Sequence, residues 1–191
     1  MLAKIRLLSI KSTALEFNVD LRGSIMKIVG EKLERWALEQ KAVDEKDLFG
    51  RSAFNRYYYA VFLLTREMLG EFKATWKGTM HAGIPELLRT SVKKEVEKAL
   101  KSAIRSGLIS QGESSQIINQ HNISLNALAS LLEEAYQVRK IADYEPEIAI
   151  QQKHNVISLD RHKLTSAKAW PDRAASYCKA IRKVWKEVGL A

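Results

Sequence analysis

Cysteine, proline and glycine are all scarce in this chain, and each shortage excludes something. One cysteine in 191 residues, Cys178, allows no internal disulfide. It falls on the apolar side of the last expected helix and reads as a core residue, not a reactive thiol, which fits a reducing, cytoplasmic setting. Three prolines and nine glycines are too few for a β-sandwich with a turn every ten residues or so. Long apolar runs are missing too. Residues 1–17 carry Lys4, Arg6 and Lys11 among their apolar groups, which is too interrupted for a signal-peptide core, and no later stretch could span a bilayer. No repeat or low-complexity segment stands out, and no segment of useful length alternates with period two.

Familiar catalytic motifs are equally absent. None of the four histidines, His81, His121, His154 and His162, pairs with another His, a Cys or a carboxylate at a metal-binding spacing on one helix. The chain has no Gly-rich phosphate loop after a strand, no Gly-x-Ser-x-Gly turn and no evident acid/base pair of carboxylates. Ordinary hydrolase or kinase chemistry has no foothold, and neither a metal nor a cofactor is expected.

What is present is positive charge and helical periodicity. The net charge is +9 and the isoelectric point about 9.6. An excess of that size favours an anionic partner, whether nucleic acid, an acidic protein or a membrane surface, although it is also compatible with a merely basic surface. At 46% hydrophobic and 28% charged residues, the composition is that of one globular domain.

Ser24 can cap a first helix with the stripe Ile25, Ile28, Val29, Leu33 and Trp36, ending near Gln40. Asp44 and Asp47 signal a second helix running to about Leu69 and stopped by Gly70. Its stripe is Phe54, Tyr57, Tyr58, Val61, Thr65 and Met68, with Arg56, Tyr59, Leu63 and Arg66 on the other side. Useful groups on both sides mark a helix that is central or faces a second chain. Residues 71–80 read as a loop with Gly78 and an exposed Trp76, followed by a short helical turn at 84–88. Thr90 or Ser91 then opens an amphipathic helix: Val92, Val96, Leu100 and Ile104 on one side, Lys93, Lys94, Lys98, Lys101 and Arg105 on the other, with Gly107 closing it. Residues 108–122 look like a polar connection. From about Ser124 to Tyr144 another helix carries Leu125, Leu128, Leu132 and Tyr136, and the same spacing aims Arg139 and Asp143 toward the bundle. Pro146 ends it, and residues 147–160 read as a connector. A last helix over 164–188 points Ala174, Tyr177, Cys178, Ile181, Val184, Trp185 and Val188 inward, with Pro171 starting or kinking it. The fold class is all-α, a four- to five-helix up-and-down bundle over residues 24–191, after an N-terminal extension of residues 1–23.

Two segments put guanidinium groups and tyrosines where a bundle helix should be apolar: Asn55-Arg56-Tyr57-Tyr58-Tyr59-Ala60-Val61-Phe62 and Arg139-Lys140-Ile141-Ala142-Asp143-Tyr144. Arginine beside tyrosine can bind phosphate and stack on a base. It can also be ion-pair glue between helices.

The second helix, from Gly50-Arg51-Ser52-Ala53 through this tyrosine run, resembles the HEPN family (higher eukaryotes and prokaryotes nucleotide-binding). It is most similar to the prokaryotic branch whose second helix reads Ser-Arg-Ala-Tyr-Tyr-Ala-x-Phe. His81-Ala82-Gly83-Ile84 is similar to that branch's His-Ser-Gly-Val, and the segment 139–144 to its Arg-x-x-Ala-Asp-Tyr, all in the same order. The resemblance covers residues 25–188. It implies a HEPN-type bundle, commonly a homodimer, acting on or binding RNA or nucleotides. The setting implied is a prokaryotic toxin–antitoxin or phage-defence system, in some cases with a nucleotidyltransferase-like antitoxin partner. The nuclease members use Arg followed four to six residues later by His, without metal. Here no histidine follows any arginine at that spacing; Tyr144 stands at the matching position, and tyrosine, with a reference pKa near 10, is a poor base at pH 7.

The candidate catalytic residues are therefore Arg139, Tyr144 and His81, the last if its loop brings the imidazole beside Arg139. A histidine in such a loop is more often a capping residue than a catalyst. His121 would lie about 27 Å from Arg139 along the helix, at ~1.5 Å per residue. The candidate nucleic-acid-binding residues are Arg56, Tyr59, Trp76, Lys94, Lys98 and Lys101. The structural alternative makes Asp143, Arg139 and Arg56 a buried polar network, in which Arg139→Ala would cost ~3–5 kcal/mol by leaving an unpaired carboxylate. Trp76 packs or stacks, and the lysine face is a solvated surface or a phosphate track.

Overall fold

A computed structural model of the chain describes residues 21–191. Residues 1–20, most of the expected N-terminal extension, lie outside the described residues. Helix α1 (Leu21–Glu39) already includes the three remaining residues of that extension, so Ser24 lies inside the helix and is not its cap. Helix α2 (Val43–Phe72) follows after a short turn and packs along α1.

The α1–α2 contact is made by small residues. Gly23, Gly30 and Ala37 of α1 are buried, seven residues apart. A Cβ on Gly30 would lie 2.8 Å from Tyr57 Cε1, and one on Gly23 2.6 Å from Leu64 Cγ. The absent side chains let the two helices approach, and the large groups of α2 fill the space. The expected stripe of α1 consequently faces the wrong way: Ile28 and Trp36 are 51% and 47% exposed, Ile25 is exposed too, and only Val29 and Leu33 are half-buried.

Helix α2 is the central element, touching α1 and the later long helices. Phe54, Tyr57, Tyr58, Val61, Thr65 and Met68 are all buried, as expected, while Arg56, Tyr59, Leu63 and Arg66 are half-buried. The helix runs through Gly70 to Phe72 rather than stopping there; Gly70 keeps a helical backbone and lies against the Lys77 side chain, where a Cβ would come within 3.1 Å of Cδ. Two 3₁₀ turns follow, Ala74–Gly78 and His81–Gly83. Helix α3 (Ile84–Leu87) takes Pro85 in its first turn and continues through a π turn (Leu88–Val92) into α4 (Lys93–Arg105). Thr90 and Ser91 therefore sit within a continuous helical path and do not open a helix. Gly107, at φ +70°, closes α4, with Leu108 N–H bonded to Ala103 O at 2.9 Å.

Helix α5 (Gln111–Tyr144) begins well before Ser124. Ser110 and Glu113 form a reciprocal capping box that starts it inside the stretch read as a polar connection. The stretch read as a connector after Pro146 holds a small antiparallel sheet, with β1 (Ile150–Lys153) paired to β2 (Val156–Leu159) and β2 to β3 (His162–Lys163). Its strands are too short for an alternating pattern to register. Even so, Ile157 and Leu159 are buried two apart, and Ile150 fills the space beside Gly50 of α2. Helix α6 (Leu164–Lys168) leads to α7 (Trp170–Glu187), whose first turn contains Pro171. Ala174, Cys178, Ile181, Val184 and Trp185 of α7 are buried, and Tyr177 and Val188 half-buried. The described chain is predominantly helical, a bundle carrying one small sheet. No helix among the described residues is long and apolar enough to cross a membrane.

Candidate nucleic-acid interface

Positions 51, 55, 59, 62 and 66 of α2 lie on one face by helical spacing, and positions 136, 139, 140 and 143 on one face of α5. The two faces meet. At one end, Arg51 closes the contact as a lock. Its Nε lies 2.6 Å from Asp47 Oδ2, and its Nη1 donates to the carbonyls of Ile141, Ala142 and Glu145 at 3.1–3.2 Å. Nη2 donates to the carbonyls of Pro146 and Ile148. One guanidinium thus gathers carbonyls of the last turn of α5 and of the chain just beyond it, where the helix dipole also favours a cation. Asp47, expected only as a helix-start signal, accepts from Ile150 N–H at 2.8 Å as well.

Next along the α2–α5 contact, Asp143 joins the two helices. Asn55 Nδ2 donates to its Oδ1 at 2.5 Å, and Arg139 Nε lies 2.6 Å from its Oδ2. The Arg139 N–H is not directed along that line, so the pair is an ion contact and Nε–H has no acceptor. The Arg139 and Asp143 side chains keep 19% and 23% of their exposure, so the pair is only partly withdrawn from water. The Arg139 guanidinium lies over the ring of Tyr144, 5.3 Å from its centroid, and Tyr144 itself is exposed. Burial works against the charge on Arg139, but Asp143 and Tyr144 more than offset it and raise its pKa.

The far end is closed by His81. Its ring stacks on Phe62, with centroids 3.7 Å apart and planes at 16°, and meets Tyr59 edge-on at 6.0 Å. Its Nδ1 is hydrogen-bonded to the Tyr58 hydroxyl. Burial first, then Arg139 and Arg66, lower the His81 pKa, so the ring is neutral at pH 7. Burial likewise raises the pKa of the Tyr58 hydroxyl, which stays protonated. Arg66 Nε donates to Lys77 O at 3.0 Å, holding the preceding turn in place.

His81, Tyr59, Arg139, Asp143 and Tyr144 therefore come together. Arg56 does not join the polar network: its Nη1 lies 3.9 Å from Met26 Sδ on α1, and its guanidinium is 5.9 Å from the Tyr59 ring centroid. One helical step separates it from Asn55, which takes the role expected of it. Trp76 is only half-buried and packs edge-on against Trp185 at 6.0 Å, with Lys73 Nζ 4.9 Å from its ring centroid. Lys94, Lys98 and Lys101 lie on the exposed face of α4, bordering a shallow depression together with Arg105. The nearby acids Glu95 and Glu97 pair with Lys73 and Lys93 instead.

Asn55, Phe62, Arg66 and Arg51 stand on the expected second helix but were given no role at the site. Their signal was the common helical face they share with Tyr59. Among the described residues no group of three or more His, Cys, Asp or Glu could hold a metal ion. No known family model matches the chain, nor does any curated protein or solved structure.

Proposed function

We propose that this chain is a HEPN-type protein that binds RNA or nucleotides in the groove between α2 and α5. It acts as a cytoplasmic homodimer in a prokaryotic toxin–antitoxin or phage-defence setting. The observation that carries this reading is convergence: the three segments behind the resemblance, residues 55–62, 81–84 and 139–144, meet in one groove. The groove offers what a phosphate and a base require: guanidinium donors at Arg139 and Arg66, an imidazole, and half-exposed or exposed tyrosine rings at Tyr59 and Tyr144. The lysine face of α4 supplies a second, purely electrostatic contact with a polyanion.

A specific observation favours a second reading, a helical interaction module docking on a nucleotidyltransferase-like partner. Ile25, Ile28 and Trp36 of α1, with Val43 and Leu48 at the start of α2, leave large apolar groups exposed. The polar cluster would then be structural.

One experiment separates these readings: incubation of purified protein with a labelled RNA pool and chelator, beside Arg139→Ala matched for folded content. Salt-dependent retention of intact RNA, weakened in the variant, supports binding. Chelator-resistant cleavage leaving 2′,3′-cyclic phosphate ends, lost in the variant, identifies a metal-independent endoribonuclease using Arg139 with His81 or Tyr144. Neither retention nor cleavage leaves the docking module.

A further inference from the structure

The His81 imidazole is held on three sides, and the way it is held fixes which of its nitrogens can act. Tyr58 is 1% exposed, and its hydroxyl has no described partner other than His81 Nδ1. A buried hydroxyl proton without an acceptor is costly, whereas an unused hydroxyl lone pair is tolerated. If Nδ1 carried the proton and donated to Tyr58, the tyrosine O–H would point into the core unmatched. With Tyr58 donating, both groups are satisfied, Nδ1 is an acceptor, and the neutral ring carries its proton on Nε2. Among the described residues Nε2 has no hydrogen-bond partner, and His81 is only half-buried. The stack on Phe62 and the edge contact with Tyr59 prevent the ring from turning to exchange the two nitrogens.

From this we propose that Tyr58 is a positioning residue that holds His81 as an outward Nε2–H donor, so that the groove binds a phosphodiester oxygen and leaves the strand uncut. The inference rests on the RNA-binding reading above and gives it a chemistry. Cleavage through a 2′-hydroxyl requires a lone pair to take the hydroxyl proton. At His81 the only lone pair of the neutral ring faces Tyr58. The described groups facing the imidazole, namely Tyr58, Tyr59 and Phe62 with the charges of Arg66 and Arg139, are hydrogen-bond donors, rings or cations. Together with Nε2–H they suit an anionic oxygen and disfavour the imidazolium that a general base becomes.

The test uses the full chain, nitrogen-15 labelled, with long-range proton–nitrogen correlation spectra of His81 at pH 7.5. The wild type is expected to show a protonated Nε2 and a bare Nδ1. Tyr58→Phe, checked for folding by circular dichroism, is expected to raise the His81 pKa, because the lost hydrogen bond favoured only the neutral ring. Binding is then measured with a short single-stranded RNA and its 2′-deoxy copy. Both are expected to bind alike and remain intact. His81→Gln, whose amide N–H replaces Nε2–H, should bind within about threefold of wild type, and His81→Ala about tenfold more weakly. A protonated Nδ1 with binding intact overturns the role of Tyr58 alone. A protonated Nε2 with no binding of either strand overturns the RNA-binding reading and, with it, the ligand named here. Cleavage of the RNA, lost in His81→Gln, shows that the lone pair is in use and overturns the uncut strand.

Discussion

His121 shows how much a single side chain can cost in this fold. It is fully buried on α5, and neither ring nitrogen has a partner. Burial lowers its pKa from 6.5 to about 4. Between those two values the unfolded chain binds a proton that the folded chain refuses, so stability rises with pH across this window and is lost as pH falls through it. At about 1.36 kcal/mol per unit, acidification from pH 7.5 to 4.5 should remove roughly 2–3 kcal/mol through His121. His81, also shifted downward, adds to the same slope. Urea denaturation at the two pH values is expected to show this loss, and His121→Leu to abolish most of it while raising stability at neutral pH. Arg139 is the opposite case. The sequence pattern suggested a buried pair whose disruption costs ~3–5 kcal/mol. The Asp143 carboxylate, however, keeps Asn55 as a donor and part of its exposure, so the pair contributes about as much as a surface ion pair, roughly 1 kcal/mol or less.

Among the elements, the α1–α2 contact is decided by what is missing from two positions. Gly30 should be a poor helix residue, and Ala there would gain about 0.5–1 kcal/mol in helix propensity. The added methyl would nonetheless stand 2.8 Å from the ring of Tyr57, which is fully buried and cannot yield. Gly30→Ala is therefore expected to destabilise by about 1–2 kcal/mol net, overpacking outweighing propensity. Gly112, in the first turns of α5, has only Ser110 Oγ nearby, at 3.9 Å. Gly112→Ala meets no obstacle and should stabilise by up to about 0.5–1 kcal/mol. Thermal denaturation of the two variants checks the opposite signs. The start of α5 was equally open to reading, because Ser110-x-x-Glu113 is a capping box in plain sequence. It was masked by the polar character of the residues that follow, which lie on an exposed part of the helix.

For the molecule as a whole, the charge of +9 is unevenly used. Glu95 and Glu97 are committed to Lys73 and Lys93, which leaves Lys94, Lys98, Lys101 and Arg105 as an exposed stripe along α4. If that stripe follows a single-stranded backbone, each lysine releases a condensed counterion on binding. Replacing Lys94, Lys98 and Lys101 by Gln should then lower the slope of log affinity against log salt by about 2, at roughly 0.7 per phosphate contact. Filter binding at several salt concentrations reads this directly. An unchanged slope would leave the stripe as solvated surface and confine any RNA contact to the groove.

Sequence by itself determined the helical class, the central place of α2, the stop of α5 before Pro146 and the closure of α4 at Gly107. Each follows from a local rule of apolar period or backbone freedom that needs no partner to operate. It also singled out Arg139 and Asp143, because charges on an inward period are conspicuous in a chain whose other inward positions are apolar, and Tyr59 by its place beside Arg56, whereas His81 and Tyr144 were candidates through the family resemblance alone. Only the tertiary structure decided that α1 turns Ile25, Ile28 and Trp36 outward, that residues 150–163 pair as strands, and that Asn55 rather than Arg56 reaches Asp143. Those outcomes depend on how closely two helices can approach and on which side chain of a neighbouring pair faces the groove. Such distances are set between elements and leave no periodic trace within either one.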